Sequence, residues 1–159
     1  MTTLEGGCSC GEVRYRLLGA PIVVHCCHCR ACQRESGASF ALNAVIEAHR
    51  VETLSGAPEC VDTPSESGKG QAILRCRSCR VALWSHYGGP GPAASFVRVG
   101  TLDDPDACPP DVHVFARSRQ KWVKIPEGAE SYEIFYSGKD VPRIYGEEGA
   151  ARWRAVMGR

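Results

Sequence analysis

Ten cysteines among 159 residues carry the chemistry of this sequence. Most fall into three groups. Cys8-Ser9-Cys10 is a Cys-x-Cys pair followed by Gly11, Cys26-Cys27-His28-Cys29-Arg30-Ala31-Cys32 is a dense central run, and Cys76-Arg77-Ser78-Cys79 is a Cys-x-x-Cys. Cys60 and Cys108 stand alone in turn-rich stretches. A tetrahedral zinc ion takes four such ligands, with sulfur at about 2.3 Å. Two ligands one or two residues apart reach one ion from a single tight turn, but one turn cannot easily supply four. Structural sites therefore pair two turns distant in sequence. Cys8 and Cys10 with Cys76 and Cys79 meet that requirement. A closed four-thiolate site there staples the N-terminal region to the middle of the chain and adds directly to folding free energy.

The central run is different. Cys26/Cys29 and Cys29/Cys32 are both Cys-x-x-Cys pairs, so spacing does not choose among them. Once the first site is filled, no distant pair is left to complete a second four-ligand site. Three protein ligands and one open position are what a catalytic zinc requires. Such an ion suits a substrate thiol, whose pKa falls from near 8.5 until the thiol is deprotonated. A redox Cys-x-x-Cys normally opens a helix in a thioredoxin-like βαβ unit, an alternation absent around this run. Isolated cysteines more often serve as small buried hydrophobes, the expectation for Cys60, Cys108 and Cys26.

These ligands need a scaffold, and the composition favours a β one. The chain has 17 glycines and 10 prolines, which means many turns and short strands. Charged residues make up 23% and apolar residues 43%, ordinary for a globular domain and wrong for a disordered chain. Strands are expected at Val13–Leu18, Ile22–Cys26, Phe40–Ala48, Phe96–Val99 and Val112–Ala116. Gln71–Cys76 and Val81–Tyr87 flank the third cysteine group as a hairpin. Two helices are expected, Arg30–Ser36 and Glu147–Met157, the second with Trp153 and Val156 able to dock on the body. The domain organisation expected is a zinc-binding β domain over 1–130, with a C-terminal extension over 131–159 that packs on it or trails from it.

The formal charge of +1 implies no nucleic-acid partner. Two zinc ions on seven thiolates would take it to about −2. No apolar run is long enough for a membrane span. No signal peptide precedes the polar, Gly-rich start at Met1, so a reducing, cytoplasmic location is expected, where cysteines are ligands rather than disulfides.

Five ordered motifs match a known family. Gly6 to Tyr15 reads Gly-Gly-Cys-x-Cys-Gly-x-Val-Arg-Tyr, and Cys27 to Gln33 reads Cys-His-Cys-x-x-Cys-Gln, followed by Gly37 and Phe40. The Cys76/Cys79 hairpin comes third. Gly100 to Pro105 reads Gly-Thr-Leu-Asp-Asp-Pro, and Pro110 to His113 reads Pro-x-x-His, with Ser118 and Trp122 downstream. The chain thus resembles the glutathione-dependent formaldehyde-activating enzymes, a family that also includes centromere protein V. The resemblance implies a mainly β, Mss4-like β-tent with two zinc sites. It assigns Cys8, Cys10, Cys76 and Cys79 to a structural zinc and Cys27, Cys29 and Cys32 to a catalytic one, leaving Cys26 outside. It implies a carbon–sulfur lyase that forms or cleaves S-hydroxymethylglutathione from glutathione and formaldehyde. Two departures stand out. The family usually has Gly after the second hairpin cysteine, where this chain has Arg80, and a left-handed arginine there would cost on the order of 1 kcal/mol. The segment before the hairpin normally carries Ser-Ser and an Arg–Phe pair; here Ser65 to Leu74 keeps serines but reads Ala72-Ile73-Leu74-Arg75, and it is read as facing the substrate.

In such a mechanism His113 is the acid candidate by residue type. His28, in the ligand turn, is read as an assistant or an exposed turn residue. Asp103 and Asp104 read as turn formers. Arg117 and Arg119 could hold a glutathione carboxylate, and Trp122 is read as core or rim. The same cysteine pairs would also serve a non-catalytic zinc-binding interaction module, or a thiol redox or metal-handling protein.

Overall fold

The computed structural model describes residues 3–158; Met1, Thr2 and Arg159, the outer ends of the expected domain and extension, lie outside the described residues. Ten strands and two α-helices follow in the order β1 (Thr3–Gly7), β2 (Arg14–Leu18), β3 (Val23–Cys27), α1 (Arg30–Ser36), β4 (Ala41–Glu47), β5 (Val51–Ser55), β6 (Glu59–Thr63), β7 (Gln71–Arg75), β8 (Ala82–Tyr87), β9 (Ala94–Arg98), β10 (Val112–Val114) and α2 (Val141–Val156). Three strands, in the order β1-β2-β5, form a small sheet; seven, in the order β10-β3-β4-β9-β8-β7-β6, form a large one. All neighbours are antiparallel except β10, which lies parallel to β3 with His113 opposite Cys26. The mainly β, single-domain architecture expected from the sequence is present.

Strand alternation sorts the core into two layers. Tyr15 and Leu17 of β2 face Val24, Ala44, Ile46 and Val97 of the large sheet. On the other face, Val23, Val45, Val112 and Val114 meet Tyr136, Ile144, Tyr145 and Trp153 from the C-terminal segment. The large sheet is therefore covered by the small sheet on one side and by residues after 130 on the other.

That segment attaches along β10, the edge of the large sheet. The His113 and Phe115 amides donate to the Glu130 and Ile134 carbonyls at 2.8 and 2.6 Å, and the Tyr132 amide donates to the His113 carbonyl at 2.9 Å. An edge that would otherwise be open to another chain is thus paired within the molecule. Helix α2 then returns over β3, and Arg152 donates to both Glu47 oxygens at 2.8 and 2.6 Å.

The sequence reading leaves β1, β5 and β6 unassigned. β1 ends in two glycines, which read as loop. Gly6 is there for packing: a Cβ would lie 2.6 Å from the Tyr15 hydroxyl and 2.4 Å from the Thr101 carbonyl. β5 is almost wholly exposed and carries no apolar alternation. The non-helical backbone of Gly146 (φ 69°, ψ 173°) divides α2: the part after it starts at Glu147, as expected, and the short helical stretch from Val141 before it is the part the sequence reading leaves out.

Candidate metal centres and substrate cavity

The ligand atoms of Cys8, Cys10, Cys76 and Cys79 lie within 4.8 Å of one another. Cys10 Sγ is 3.5 Å from Cys8 Sγ and 3.6 Å from Cys76 Sγ. Tetrahedral zinc with sulfur at about 2.3 Å puts neighbouring sulfurs about 3.8 Å apart, close to these two separations. Two tight turns build the group. The Cys8 amide donates to Val13 O at 3.0 Å, and the Arg80 and Cys76 amides donate to Cys76 O and Val81 O, both at 3.1 Å. Arg80 closes the second turn at φ 64°, the left-handed position where the family usually has Gly. The Val81 and Cys10 backbone groups hydrogen-bond the Cys79 sulfur and hold its pKa down at about 6.

Cys27, Cys29 and Cys32 form a second group, again within 4.8 Å and all buried. Cys27 ends β3. Cys29 caps α1, its sulfur accepting from the Cys32 amide at 3.3 Å, and Cys32 sits in the helix's first turn. Gln33 locks this turn by donating to His28 O at 2.7 Å and Ser118 O at 3.0 Å. Hydrogen bonds from the Cys27 and Cys32 thiols, together with backbone amides, push Cys29 down to about 3. Cys27 is driven the other way by its two neighbours and by burial. One thiol of the three is thus prepared to deprotonate first, as a soft metal ligand must.

Cys26 belongs to neither group. It points to the opposite face of β3 from Cys27, where its sulfur lies 3.6 Å from His28 Nε2, which is 3.0 Å from His113 Nδ1. These three buried residues are a further potential ligand set. His28, read as a possible exposed turn residue, is instead fully buried, stacked on His113 at 5.3 Å and edge-on to Phe40 at 5.5 Å. Sequence reasoning missed this pairing, which needs the parallel β10–β3 register that no local pattern announces.

A cavity of about 640 Å³ opens beside Cys27, Cys29 and Cys32. His25 lines it, two residues before Cys27 on the same face of β3; His113 does not. His25 Nε2 is 2.6 Å from the Tyr136 hydroxyl, which is 2.5 Å from the Tyr145 hydroxyl. Burial lowers His25 to about 4, so it is neutral at pH 7, and raises Tyr145 to about 12. Ser65, Glu66, Ser67 and Lys69, from the segment read as substrate-facing, form part of the rim, as does Arg117.

The remaining expected residues lie elsewhere. Arg119 donates Nε–H to Val123 O at 3.2 Å and does not line the cavity. Trp122 is 71% exposed and is not core. Asp103 accepts two hydrogen bonds from Arg14 at 2.8 and 2.5 Å, tying its turn to β2. Cys108 is a buried hydrophobe, whereas Cys60 is exposed on β6.

Fold and site together define a single-domain β protein with two sulfur clusters that could hold metal ions, one of them open to a cavity. The profile of the glutathione-dependent formaldehyde-activating enzymes matches residues 3–118, and the chain belongs to that family. A protein of Halomonas elongata named "Putative glutathione-dependent formaldehyde-activating enzyme" is 28% identical over 163 residues, covering 98% of this chain and 96% of its own length. A Rhodobacter sphaeroides protein of known crystal structure is 21% identical and superposes with a TM-score of 0.49, over 65% of this chain and 93% of its own. Among the described residues, no helix is long and apolar enough to cross a membrane.

Proposed function

We propose that the chain is a zinc-dependent carbon–sulfur lyase that joins a glutathione-like thiol to an aldehyde, or splits the adduct. The observation that carries this reading is the contrast between the two sulfur groups. Four cysteines close one of them, while only three form the other, and those three line the cavity. In this reading Cys8, Cys10, Cys76 and Cys79 hold a structural zinc, and Cys27, Cys29 and Cys32 hold a catalytic one. When bound there, zinc supplies Lewis-acid chemistry that keeps a substrate thiol ionised at neutral pH.

The chain's own residues do the rest. Arg117 and Lys69 at the rim attract and orient a thiol that carries carboxylates. Apolar wall residues, Phe96, Val114 and Tyr136 among them, lower the polarity around the thiolate and the carbonyl. As the carbon–sulfur bond forms, negative charge develops on the aldehyde oxygen. His25 and the Tyr136 hydroxyl, coupled at 2.6 Å, are the proton carriers facing that space. His113, the acid expected by residue type, lies on the other side of β3; there it supports His28 beneath the ligand turn.

The test is exchange NMR on glutathione plus formaldehyde with and without the zinc-loaded protein. Exchange faster than the spontaneous rate is expected, and no acceleration with any aldehyde would remove the lyase reading.

A further inference from the structure

Deepening that reading, and resting on it, we propose that the cavity beside Cys27, Cys29 and Cys32 binds the apolar, aromatic part of a larger aldehyde. The adduct handled here then carries an aryl or bulky alkyl group where formaldehyde offers only hydrogen.

The first ground is size. A volume of about 640 Å³ lies within the range of pockets that enclose ligands of some tens of atoms. Formaldehyde has two heavy atoms. Glutathione is larger, but its two carboxylates, ammonium group and amides need polar partners. Those stand at the rim, as Arg117, Lys69 and Glu66.

The second ground is the wall. A continuous run of rings crosses the cavity: Phe115 to Phe135 at 6.1 Å, Phe135 on Tyr136 at 4.4 Å, Tyr136 to Tyr145 at 6.0 Å, and Tyr145 to Trp153 at 6.0 Å. Tilted, edge-on and offset contacts of this kind are how aromatic groups pack, and another ring can join such a run. Ile134 and Phe135 remain 49% and 48% exposed, apolar surface that an apolar ligand would cover.

The third ground is how the wall is built. Four of its five rings come from residues after 130: Phe135 and Tyr136 adjoin the pairing with β10, and α2 carries Tyr145 and Trp153. The fifth, Phe115, sits at φ 55°, a left-handed conformation that a bulky side chain rarely adopts. Its amide donates to Ile134 O at 2.6 Å, so the C-terminal segment itself holds the strained residue. Strain of this sort persists where the surroundings over-determine a side chain's position.

The chemistry balances without a further reactant. The thiol's sulfur–carbon bond forms as the aldehyde's π pair moves to oxygen, and that oxygen takes the proton the thiol released. Cleavage is the reverse.

The experiment uses the full-length, zinc-loaded protein and glutathione, with phenylacetaldehyde or formaldehyde, followed by exchange NMR. Binding of unreactive 2-phenylethanol is followed separately by chemical-shift changes. Catalysed exchange about tenfold or more faster with phenylacetaldehyde is expected, with 2-phenylethanol shifting the Phe135 and Trp153 signals. Phe135→Ser should lower the phenylacetaldehyde-to-formaldehyde rate ratio about tenfold; should it fail to fold, Ile134→Ser serves instead. Acceleration with formaldehyde alone and no 2-phenylethanol binding overturns the inference and leaves the lyase reading standing. Binding of 2-phenylethanol with neither aldehyde accelerated removes the lyase reading and supports the apolar site.

Discussion

The Tyr136 hydroxyl stands 2.6 Å from His25 Nε2, joining residues 111 positions apart at the wall of the cavity. Tyr145 extends the chain by a further 2.5 Å contact. Tyr136→Phe keeps the ring and removes the hydroxyl. If that hydroxyl carries a proton in the reaction, kcat falls on the order of 10²-fold. The variant also leaves the buried His25 and the half-buried Tyr145 hydroxyl without this partner, costing about 1–3 kcal/mol. Tyr145→Phe removes only the far end of the chain. It leaves the Tyr136 hydroxyl its His25 partner, so it should cost less stability and little activity. A kcat loss in Tyr136→Phe far out of proportion to its lost stability, read by steady-state kinetics beside urea denaturation, separates proton transfer from packing.

The two sulfur groups should respond differently to the loss of one ligand. Cys76→Ser breaks the group that joins the turn after β1 to the β7–β8 hairpin. Because metal binding there is folding free energy, the expected outcome is insoluble or unfolded protein. Cys32→Ser should fold, bind one zinc ion per chain instead of two, and lose catalysed exchange. Elemental analysis and circular dichroism check both. A Cys32→Ser protein with two zinc ions and full activity would sink the catalytic assignment.

The cysteine groups are legible in the sequence because tight turns set their spacing locally. β2 is legible because apolar residues alternate along it, β3 and β4 because they are short apolar runs that are buried almost throughout, and the β7–β8 hairpin because two such runs flank the Cys-x-x-Cys turn. What sets the shape of the cavity is not local. Tyr132, Phe135 and Tyr136 show neither strand nor helix periodicity, since they lie along an irregular edge pairing whose partner is β10. His25 reads as one more strand residue until Tyr136 reaches it. His28 looks like a turn histidine because nothing nearby shows that a parallel strand will bring His113 beneath it. Residue type alone therefore favours His113 as the acid, and only the alternation of side chains across β3 places His25 at the cavity instead.

Arg80 offers a test of backbone strain. Its φ of 64° costs a non-glycine residue about 1 kcal/mol. Its side chain makes only an ion pair with Glu59, at 2.5 Å, between groups 65% and 40% exposed, which is worth little. Arg80→Gly should therefore raise stability, by up to about 1 kcal/mol, visible as a higher urea midpoint at unchanged zinc content. A lower midpoint would mean that the ion pair and chain entropy outweigh the strain.

The docking of α2 should depend on pH through Glu47. Burial alone would raise this carboxyl, but the Arg152 guanidinium, donating to both oxygens, outweighs that and holds it below its ordinary value. A carboxylate with a depressed pKa in the folded state stabilises fully above its unfolded value, about 4.3, and loses that contribution as pH falls through the folded value. Below about pH 4, amide hydrogens of α2 should therefore exchange faster than those of β3 and β4. Glu47→Gln should abolish this difference in acid response between helix and sheet. At neutral pH, Arg152→Met leaves a nearly buried carboxylate (side chain 10% exposed) with only the longer Arg50 contact at 3.6 Å. The expected cost is about 2–3 kcal/mol. Because α2 carries Tyr145 and Trp153 onto the cavity wall, the same variant should also weaken binding of apolar probes. Hydrogen exchange and probe titration on one preparation would show both effects together, and intact probe binding with α2 unprotected would break the link between docking and cavity.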